Sequence, residues 1–558
     1  MASTGLRCAL STVKSIPVAA AISALSVFSL TAADAEWQPL FNGLDLAGWT
    51  VTLENGKPGE DPEKFVQVHD GAIHMYRDTP AGRKSPFGII THEREFSRFQ
   101  IRFEYRWGVK RFEPRAEKLR DAGLLYHVKD PSVVWPASIE CQVQEGDTGD
   151  LIFIKTGGLT WMRHGKSEDK TGGAGLLPEN GGIPRLFQPS WPYIGDLEEV
   201  DSRTEWNRVE VTVHAGDYAE HVVNGRTLIR LGRFLDEEGE PLSSGKICLQ
   251  LEGAEILYRN IAVRELDPPV SANTTLASFS AVRNQPARQQ VIHATNPGTQ
   301  AVSGVSLIGS DAAAFRILSG PKSIEPGAAA SWTLDFQPNR GAGRYSAGLK
   351  IGDAAEGAFV LLQGIGLDAF EGKNEPPLQD IVHALGIPLD VGGGNLELDT
   401  KAPVIGEGTS TAWFTASDGG KIRITPLARF SPPGATPVGF ISPDNDSLRE
   451  IGKLSDSGSQ LPDAHQCLTP PFADGSASIE IEPPAGKFGF YMQGHHYISF
   501  TDPKRPTTAQ IPHTARIYPV RHFQGKALEN AWLVGFEEAA NGDYQDAVLL
   551  VEGVKPVE

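Results

Sequence analysis

The stretch Ser138-Ile139-Glu140-Cys141-Gln142-Val143-Gln144-Glu145-Gly146-Asp147 holds the side chains best suited to chemistry. Side chains of a β-strand point alternately to its two faces. Ile139, Cys141 and Val143 therefore share a face fit for a core, and Glu140, Gln142 and Gln144 share one fit for water or a polyhydroxylated ligand. The same division recurs elsewhere. Arg102, Glu104 and Arg106 alternate with Phe99, Ile101, Phe103, Tyr105 and Trp107. Leu125 and His127 alternate with Leu124, Tyr126 and Val128, just after Asp121. Gln250 and Glu252 alternate with Ile247, Leu249 and Leu251. If these polar faces belong to one sheet, they line a single curved surface of carboxylates, amides, a guanidinium and an imidazole. If they belong to different sheets, they are ordinary solvated faces. The order of strand pairing decides between the two.

The elements that must position these residues are strands. Gly and Pro are abundant, at 60 and 40 residues in 558, and long helical patterns are scarce. Asn42-Gly43, Asp70-Gly71 and Asn224-Gly225 are hairpin turn signals between apolar runs. Trp206–His214 alternates Val209, Val211 and Val213 against Arg208, Glu210 and Thr212. Strands with one apolar face each predict packed antiparallel sheets and an all-β fold. The length suits three domains after a leader: residues 36–267, 268–368 and 372–558, with the polar, Pro-containing Glu371–Pro377 as a linker. Leu378–Leu385 is expected to form one short helix.

Residues 1–35 read as a secretory signal peptide, with Arg7 and Lys14 before the apolar run Ile16–Leu30 and Ala33-Asp34-Ala35 as the cleavage signal. The expectation is a secreted or periplasmic protein. No later stretch approaches the length of a membrane span, so no membrane insertion is expected. Without the leader the chain carries 49 Lys and Arg against 68 Asp and Glu, a net charge of −19. That balance argues against nucleic acid or an anionic membrane as partner. Cys141, Cys248 and Cys467 remain, an odd number without Cys-x-x-Cys spacing, so stability must come from cores. Gly392-Gly393-Gly394 lacks the strand-to-helix setting of a nucleotide loop, and no Gly-x-Ser-x-Gly elbow is present.

Several motifs in order resemble the 3-keto-disaccharide hydrolase domain family. They are Leu40-Phe41-Asn42-Gly43 with Gly48-Trp49, Phe103-Glu104-Tyr105-Arg106, Asp121-Ala122-Gly123 and Ser138-Ile139-Glu140-Cys141-Gln142. Glu145-Gly146-Asp147-Thr148-Gly149-Asp150, Glu205-Trp206-Asn207, Asn224-Gly225, Gly245–Gln250 and Tyr258-Arg259-Asn260-Ile261 continue the series. The resemblance implies a concanavalin-like jelly-roll sandwich with its site on the concave face, and action on 3-keto-glycosides. The chain departs from the family pattern at Asp121, which replaces a usual Asn, at His127, near a frequent Arg, and at Glu252, where a His is often found. A 3-keto group acidifies the proton on C2 of the sugar, and a carboxylate or imidazole can remove it. On this reading Glu140 or His127 is the base. Glu104, Arg106, Asp121, Gln142, Gln250 and Glu252 hold the sugar or the developing enolate oxygen. A divalent cation held by oxygen ligands is a further expectation.

The long Gly- and Pro-rich segment Thr156–Arg203 contains Trp161, His164, Phe187, Trp191 and Tyr193. Trp161 and Trp191 either stack on sugar rings over the concave face or pin the loop to the sandwich. Residues 268–368 carry short strands at sandwich spacing. Asn296-Pro297-Gly298-Thr299, Gly309-Ser310-Asp311-Ala312, Phe315-Arg316-Ile317, Pro326-Gly327 and Phe336-Gln337-Pro338 resemble the immunoglobulin-like repeats of the choice-of-anchor D and Hydin type, a spacer or adhesive module. Trp532–Glu538 and Gly542-Asp543-Tyr544-Gln545-Asp546 resemble the ending of exported bacterial β-sandwich modules. Glu537, Asp543 and Asp546 are candidate ligands for a structural Ca²⁺. The leading expectation is an exported carbohydrate-active enzyme with a carbohydrate ligand. The alternatives are a lectin-like binding protein or an adhesion protein on the same scaffold.

Overall fold

The alternating patterns become strands because each buries one face. The computed structural model describes residues 37–163, 173–195, 201–202, 204–285, 287–370, 375–393, 401–417, 420–456 and 465–557. The leader, His164 and residues 371–374 of the expected linker lie outside the described residues. The chain is almost entirely β; the one α-helix among the described residues is Leu378–Ala384.

In the first sandwich, strand Arg98–Arg111 pairs antiparallel with Asn207–His214. Phe99, Ile101 and Phe103 lie opposite Val213, Val211 and Val209 in that register. All six are fully or almost fully buried. Each such side chain contributes about 1.5–3 kcal/mol on leaving water. The hairpins at Asp70-Gly71 and Asn224-Gly225 both place two successive residues at positive φ, the geometry of tight two-residue turns. These strands belong to a ten-stranded sheet. Facing it is an eight-stranded sheet in which Gly173–Ala174, Tyr193–Gly195, Leu151–Ile154, Ser138–Gln142, Gly123–Val128, Gly245–Leu251, Gly88–Phe96 and Trp49–Leu53 lie side by side in that order. Leu124, Tyr126, Ile139, Cys141, Val143, Leu249 and Leu251 point from this second sheet into the shared core.

Beyond residue 270 come two further sandwiches. One pairs a four-stranded sheet containing Gln290–Thr295 and Ala329–Phe336 with another containing Gly343–Ile351 and Ala358–Leu367, around Phe279, Phe315, Trp332, Phe336 and Tyr345. The other pairs a six-stranded sheet containing Ile422–Phe430, Ala531–Phe536 and Ala547–Glu552 with a four-stranded sheet containing Thr436–Ser442 and Gly489–Gln493. The helix buries Leu378, Ile381, Val382 and Ala384 in one cluster with Val282, Ile365 and Leu367 on one side and Leu427, Phe430 and Val548 on the other. These two sandwiches therefore share apolar core rather than hanging on a free tether. Polar contacts also join the first sandwich to the second: His214 Nε2 lies 2.7 Å from the Ala354 carbonyl, and Arg344 donates to the Gly181 carbonyl at 3.0 Å.

Candidate active site

Strand register sets which side chains meet on the face of the eight-stranded sheet turned away from the core. Tyr193 pairs with Ile152, Ile152 with Glu140, Glu140 with Leu125, Leu125 with Cys248, and Cys248 with Thr91. Residues in register across a sheet share a face, so one row runs from Tyr193 through Glu140 to Thr91. One step along, Gln142 pairs with Gly123 and Gln250 with Ile89 on the same face. Glu252 follows two residues after Gln250, and Asp121 two before Gly123.

Gly123 is the hinge of this arrangement. A methyl group there would collide with both the Glu140 carboxylate and the Gln250 amide. The bare backbone of the strand between them is what lets Glu140 and Gln250 close over it. Asp121, Glu140, Gln142, Gln250 and Glu252 are each at most 6% exposed, so the cluster is withdrawn from bulk water. Leu125, Cys248, Ile89 and Ile154 form a small apolar cluster on this side of the sheet.

The electrostatics follow from that burial. Desolvation, then the neighbouring Asp121, raises the Glu140 carboxyl well above its ordinary value, and the Gln250 amide works the other way. Glu252 is raised well above its ordinary value by burial, then by Asp121 and Glu140, with Arg115 opposing. Asp121 forms an ion pair with Arg115 and is raised only to about 6, burial outweighing the guanidinium. Three carboxyl groups thus crowd one guanidinium, and the group holds protons that isolated acids would release. One oxygen of Asp121 lacks a hydrogen-bond partner among the described residues, and the Gln250 amide has none beyond Glu140. Such atoms are costly when buried unless a ligand or water completes them.

The hairpin that follows Gln142 is fixed by charge. Glu145 accepts from Arg120 at 3.0 Å and from Arg111 at 3.2 Å, and the Arg120 hydrogen bond holds its carboxyl down to about 2. Gly146 and Gly149 both take positive φ and turn the chain back, so that the Gln142 amide donates to the Asp150 carbonyl at 2.9 Å. Asp150 accepts from the Tyr193 hydroxyl. Arg115 is a member of the site that no residue pattern names, while Gly123, Asp150 and Tyr193, which occur in the motifs and the aromatic loop, take positions there without an expected role. The register would have found Tyr193, since it lies in the row of Glu140.

The expectations for His127, Glu104, Arg106 and Trp161 are corrected by position. His127 does not share the Glu140 face. A bulge where Lys246 pairs with Val128 but Cys248 pairs with Leu125 breaks the alternation, and His127 sits there at φ +57°. Its ring is turned into the core against Phe99, Tyr126 and Phe234, with Nε2 at 2.9 Å from the Ala215 carbonyl, and burial depresses its pKa to about 4. Glu104 and Arg106 lie on the outer face of the ten-stranded sheet, where Glu104 accepts from Arg259 at 2.7 Å and Arg106 and Arg259 stack on Trp206. Alternation gave their face but not their sheet. Trp161 is on strand Thr156–Met162 of that same ten-stranded sheet, its neighbour Met162 facing the core. Trp191 is 50% exposed at the crossover between the sheets, two residues before Tyr193.

The acidic cluster is not a ready-made cation seat. Among the described residues, the acids whose donor atoms lie within 4.8 Å of one another are Glu537, Asp543 and Asp546, not Asp121, Glu140 and Glu252. A cleft of about 490 Å³ between Ile183–Gln188 and Pro519–His522 contains none of the expected first-sandwich site residues.

Among solved structures, the chain is similar to a candidate glycosyl hydrolase from Parabacteroides distasonis at 23% identity, covering 43% of this chain and 98% of that one, with a TM-score of 0.26. A second candidate glycosyl hydrolase from the same organism is 16% identical, covering 41% of this chain and 99% of that one, with a TM-score of 0.25. The carbohydrate binding module CBM66 from Bacillus subtilis is 10% identical, covering 39% and 96% of the respective chains, with a TM-score of 0.24. No curated protein matches the chain. Residues 36–264 match the family model of the 3-keto-alpha-glucoside-1,2-lyase-like domain, a span that includes Asp121, Glu140, Gln250 and Glu252 and supports a carbohydrate-active role.

Proposed function

We propose that the first sandwich is an exported enzyme that cleaves 3-keto-glucosides by removing the proton on C2, with Glu140 as the base. The observation that carries this reading is the meeting of Glu140 and Gln250 over Gly123, with Asp121 and Glu252 buried close enough to act on Glu140 and on each other. The family match over residues 36–264 supports a carbohydrate substrate, and the 3-keto-glucoside is our reading of it.

The chemistry follows from the residues. A carboxylate held in a dry cluster is a stronger base than one in water, because its ionised form is the destabilised one. Glu140 takes the C2 proton, and the electron pair left behind forms an enolate with the 3-keto oxygen. The amide N–H groups of Gln250 and Gln142 are the donors suited to that oxygen. Collapse of the enolate restores the ketone, forms a C1–C2 double bond and expels the C1 oxygen substituent. Glu252, whose carboxyl burial and then Asp121 and Glu140 push well above its ordinary value, supplies the proton to the leaving oxygen. Water adding across the double bond then yields the net hydrolysis product; release before that step yields the elimination product.

The test is incubation of the leader-free protein with α- and β-linked 3-keto-glucosides, following release of the aglycone for wild type and Glu140→Gln. A positioned general base contributes about 10²–10⁴-fold, so the variant is expected to lose turnover on that scale while keeping ligand affinity. Binding with no turnover by the wild type would instead assign a lectin-like role. Full activity of Glu140→Gln would overturn the assignment of the base.

A further inference from the structure

The last β-hairpin of the chain holds a second acidic group, far in sequence from the first. Strands Ala531–Phe536 and Ala547–Glu552 pair antiparallel, and the ten residues joining them fold around the Glu537 carboxylate. Glu537 accepts from the backbone amides of Ala539 at 2.8 Å, Asp543 at 3.0 Å and Tyr544 at 3.3 Å. Asp546 accepts from the Glu538 amide at 2.6 Å. Glu537, Asp543 and Asp546 each bring a carboxylate oxygen within 4.8 Å of the others, and none is more than 5% exposed. Glu538, 1% exposed, lies beside them and accepts from the His495 amide at 2.9 Å.

Two further observations point to a missing positive partner. The first concerns oxygens with nothing to accept. Asp543 takes donors from Asn541 and Gln545 on one carboxylate oxygen, both at 2.8 Å, and none on the other, although the residue is 1% exposed. Gln545, fully buried, spends its amide N–H on Asp543 and Glu375 and leaves its carbonyl oxygen unpartnered. The second concerns charge. Among the described residues no Lys, Arg or His forms an ion pair with Glu537, Glu538, Asp543 or Asp546. Two guanidiniums of this sandwich are engaged otherwise. Arg429 donates to Ser431 and to the carbonyls of Pro432, Gly434 and Ser455, and Arg516 stacks over Tyr544 and donates to the Ala402 carbonyl. Arg429 lies near enough to act electrostatically on Glu538 and Asp546, but one guanidinium does not balance four buried carboxyl groups.

We infer that Glu537, Asp543 and Asp546 form a cation site that takes Ca²⁺ and ties the closing hairpin of the third sandwich. The donor set decides the metal. It consists of carboxylate oxygens, with no thiolate or imidazole, which disfavours zinc and copper. Ca²⁺ accepts irregular shells of oxygen ligands, whereas Mg²⁺ needs a near-octahedral shell and keeps its waters. The site is structural: it sits in the turn that joins Ala531–Phe536 to Ala547–Glu552.

The test uses the whole leader-free chain, dialysed against a chelator and then titrated with CaCl₂ or MgCl₂ by calorimetry. Tb³⁺ luminescence sensitised through Tyr544 serves as the second probe. The expected result is saturable binding of Ca²⁺ in preference to Mg²⁺, a higher melting temperature with Ca²⁺ than with chelator, and loss of the Tb³⁺ signal in Asp543→Asn/Asp546→Asn. If that double variant does not fold, the wild-type titration decides alone. Absence of Ca²⁺ binding at millimolar concentration overturns the inference, as does unchanged Tb³⁺ luminescence in a folded double variant. A melting temperature equal in Ca²⁺ and chelator, and falling as pH rises, overturns it too, since protons would then neutralise the cluster.

Discussion

Gly123→Ala is the most informative small change in the first sandwich. It adds one methyl group to the strand between Glu140 and Gln250, and both side chains stand where that methyl would go. Gly123 does not occupy the left-handed region, so no backbone strain enters and the effect is purely steric. Alanine in a strand is favoured over glycine by roughly 0.5–1 kcal/mol, while overpacking a tight site costs about 1–3 kcal/mol. The net expectation is a modest loss of stability, about 0.5–2 kcal/mol. The functional loss is larger. A displacement of about 1 Å of a reacting group costs on the order of 10²-fold in rate, and Glu140 cannot stay where it is with a methyl group in contact. The assay pairs kcat/KM on a 3-keto-glucoside with the melting temperature. A fall in rate of about 10²-fold with a small shift in melting temperature is the expected outcome. Adding Gln250→Ala to Gly123→Ala removes one of the two collisions and should restore part of the lost stability. If Gly123→Ala retains wild-type rate and stability, Glu140 and Gln250 do not meet over this glycine and the site as built here is wrong.

Other expectations follow from the same geometry. The acid limb of the kcat/KM profile should lie well above the ordinary carboxylate value of 4.5, because burial raises Glu140 and activity needs its ionised form; a limb at the ordinary value contradicts a buried base. Glu252 is also raised, so its contribution to stability is present at low pH and is lost as pH rises through its folded-state pKa. Glu252→Gln should accordingly raise the melting temperature relative to wild type more at pH 8 than at pH 5, and equal shifts at both would refute this. Glu104→Ala and Arg106→Ala, on the outer face of the other sheet, should leave kcat/KM within about twofold of wild type. His127→Leu should lower stability by about 1–3 kcal/mol, since the Ala215 carbonyl loses its partner, yet leave the rate per folded molecule intact.

What the sequence made legible was faces. Phe99–Trp107 and Val209–Val213 announce their core sides by alternation, and the structure pairs them register for register. Ile139, Cys141 and Val143 likewise separate from Glu140 and Gln142. Alternation is local, however, and sheet membership is not. Glu104 and Glu140 look equally poised on polar faces, but their strands lie in different sheets of the sandwich. His127 shows a second limit. One extra residue in a bulge reverses a side chain, and nothing in Leu124–Val128 marks it. Gly123 shows a third. A glycine in a strand signals close approach, but which side chains approach depends on neighbours 17 and 127 residues away in sequence, Glu140 and Gln250. Tyr193 and Asp150 enter the site through pairing across the hairpin edge, which residue types alone do not disclose.

The proposed reaction begins with Glu140 removing the proton on C2 of a 3-keto-glucoside. The most direct measurement is turnover of a substrate deuterated at C2, with the product analysed for the label. Proton abstraction predicts that the label is lost to solvent, that the deuterated substrate reacts more slowly, and that Glu140→Gln abolishes the exchange. A product that keeps its deuterium, formed at the same rate as from unlabelled substrate, would contradict the claim, because the C1 bond would then break without C2 taking part.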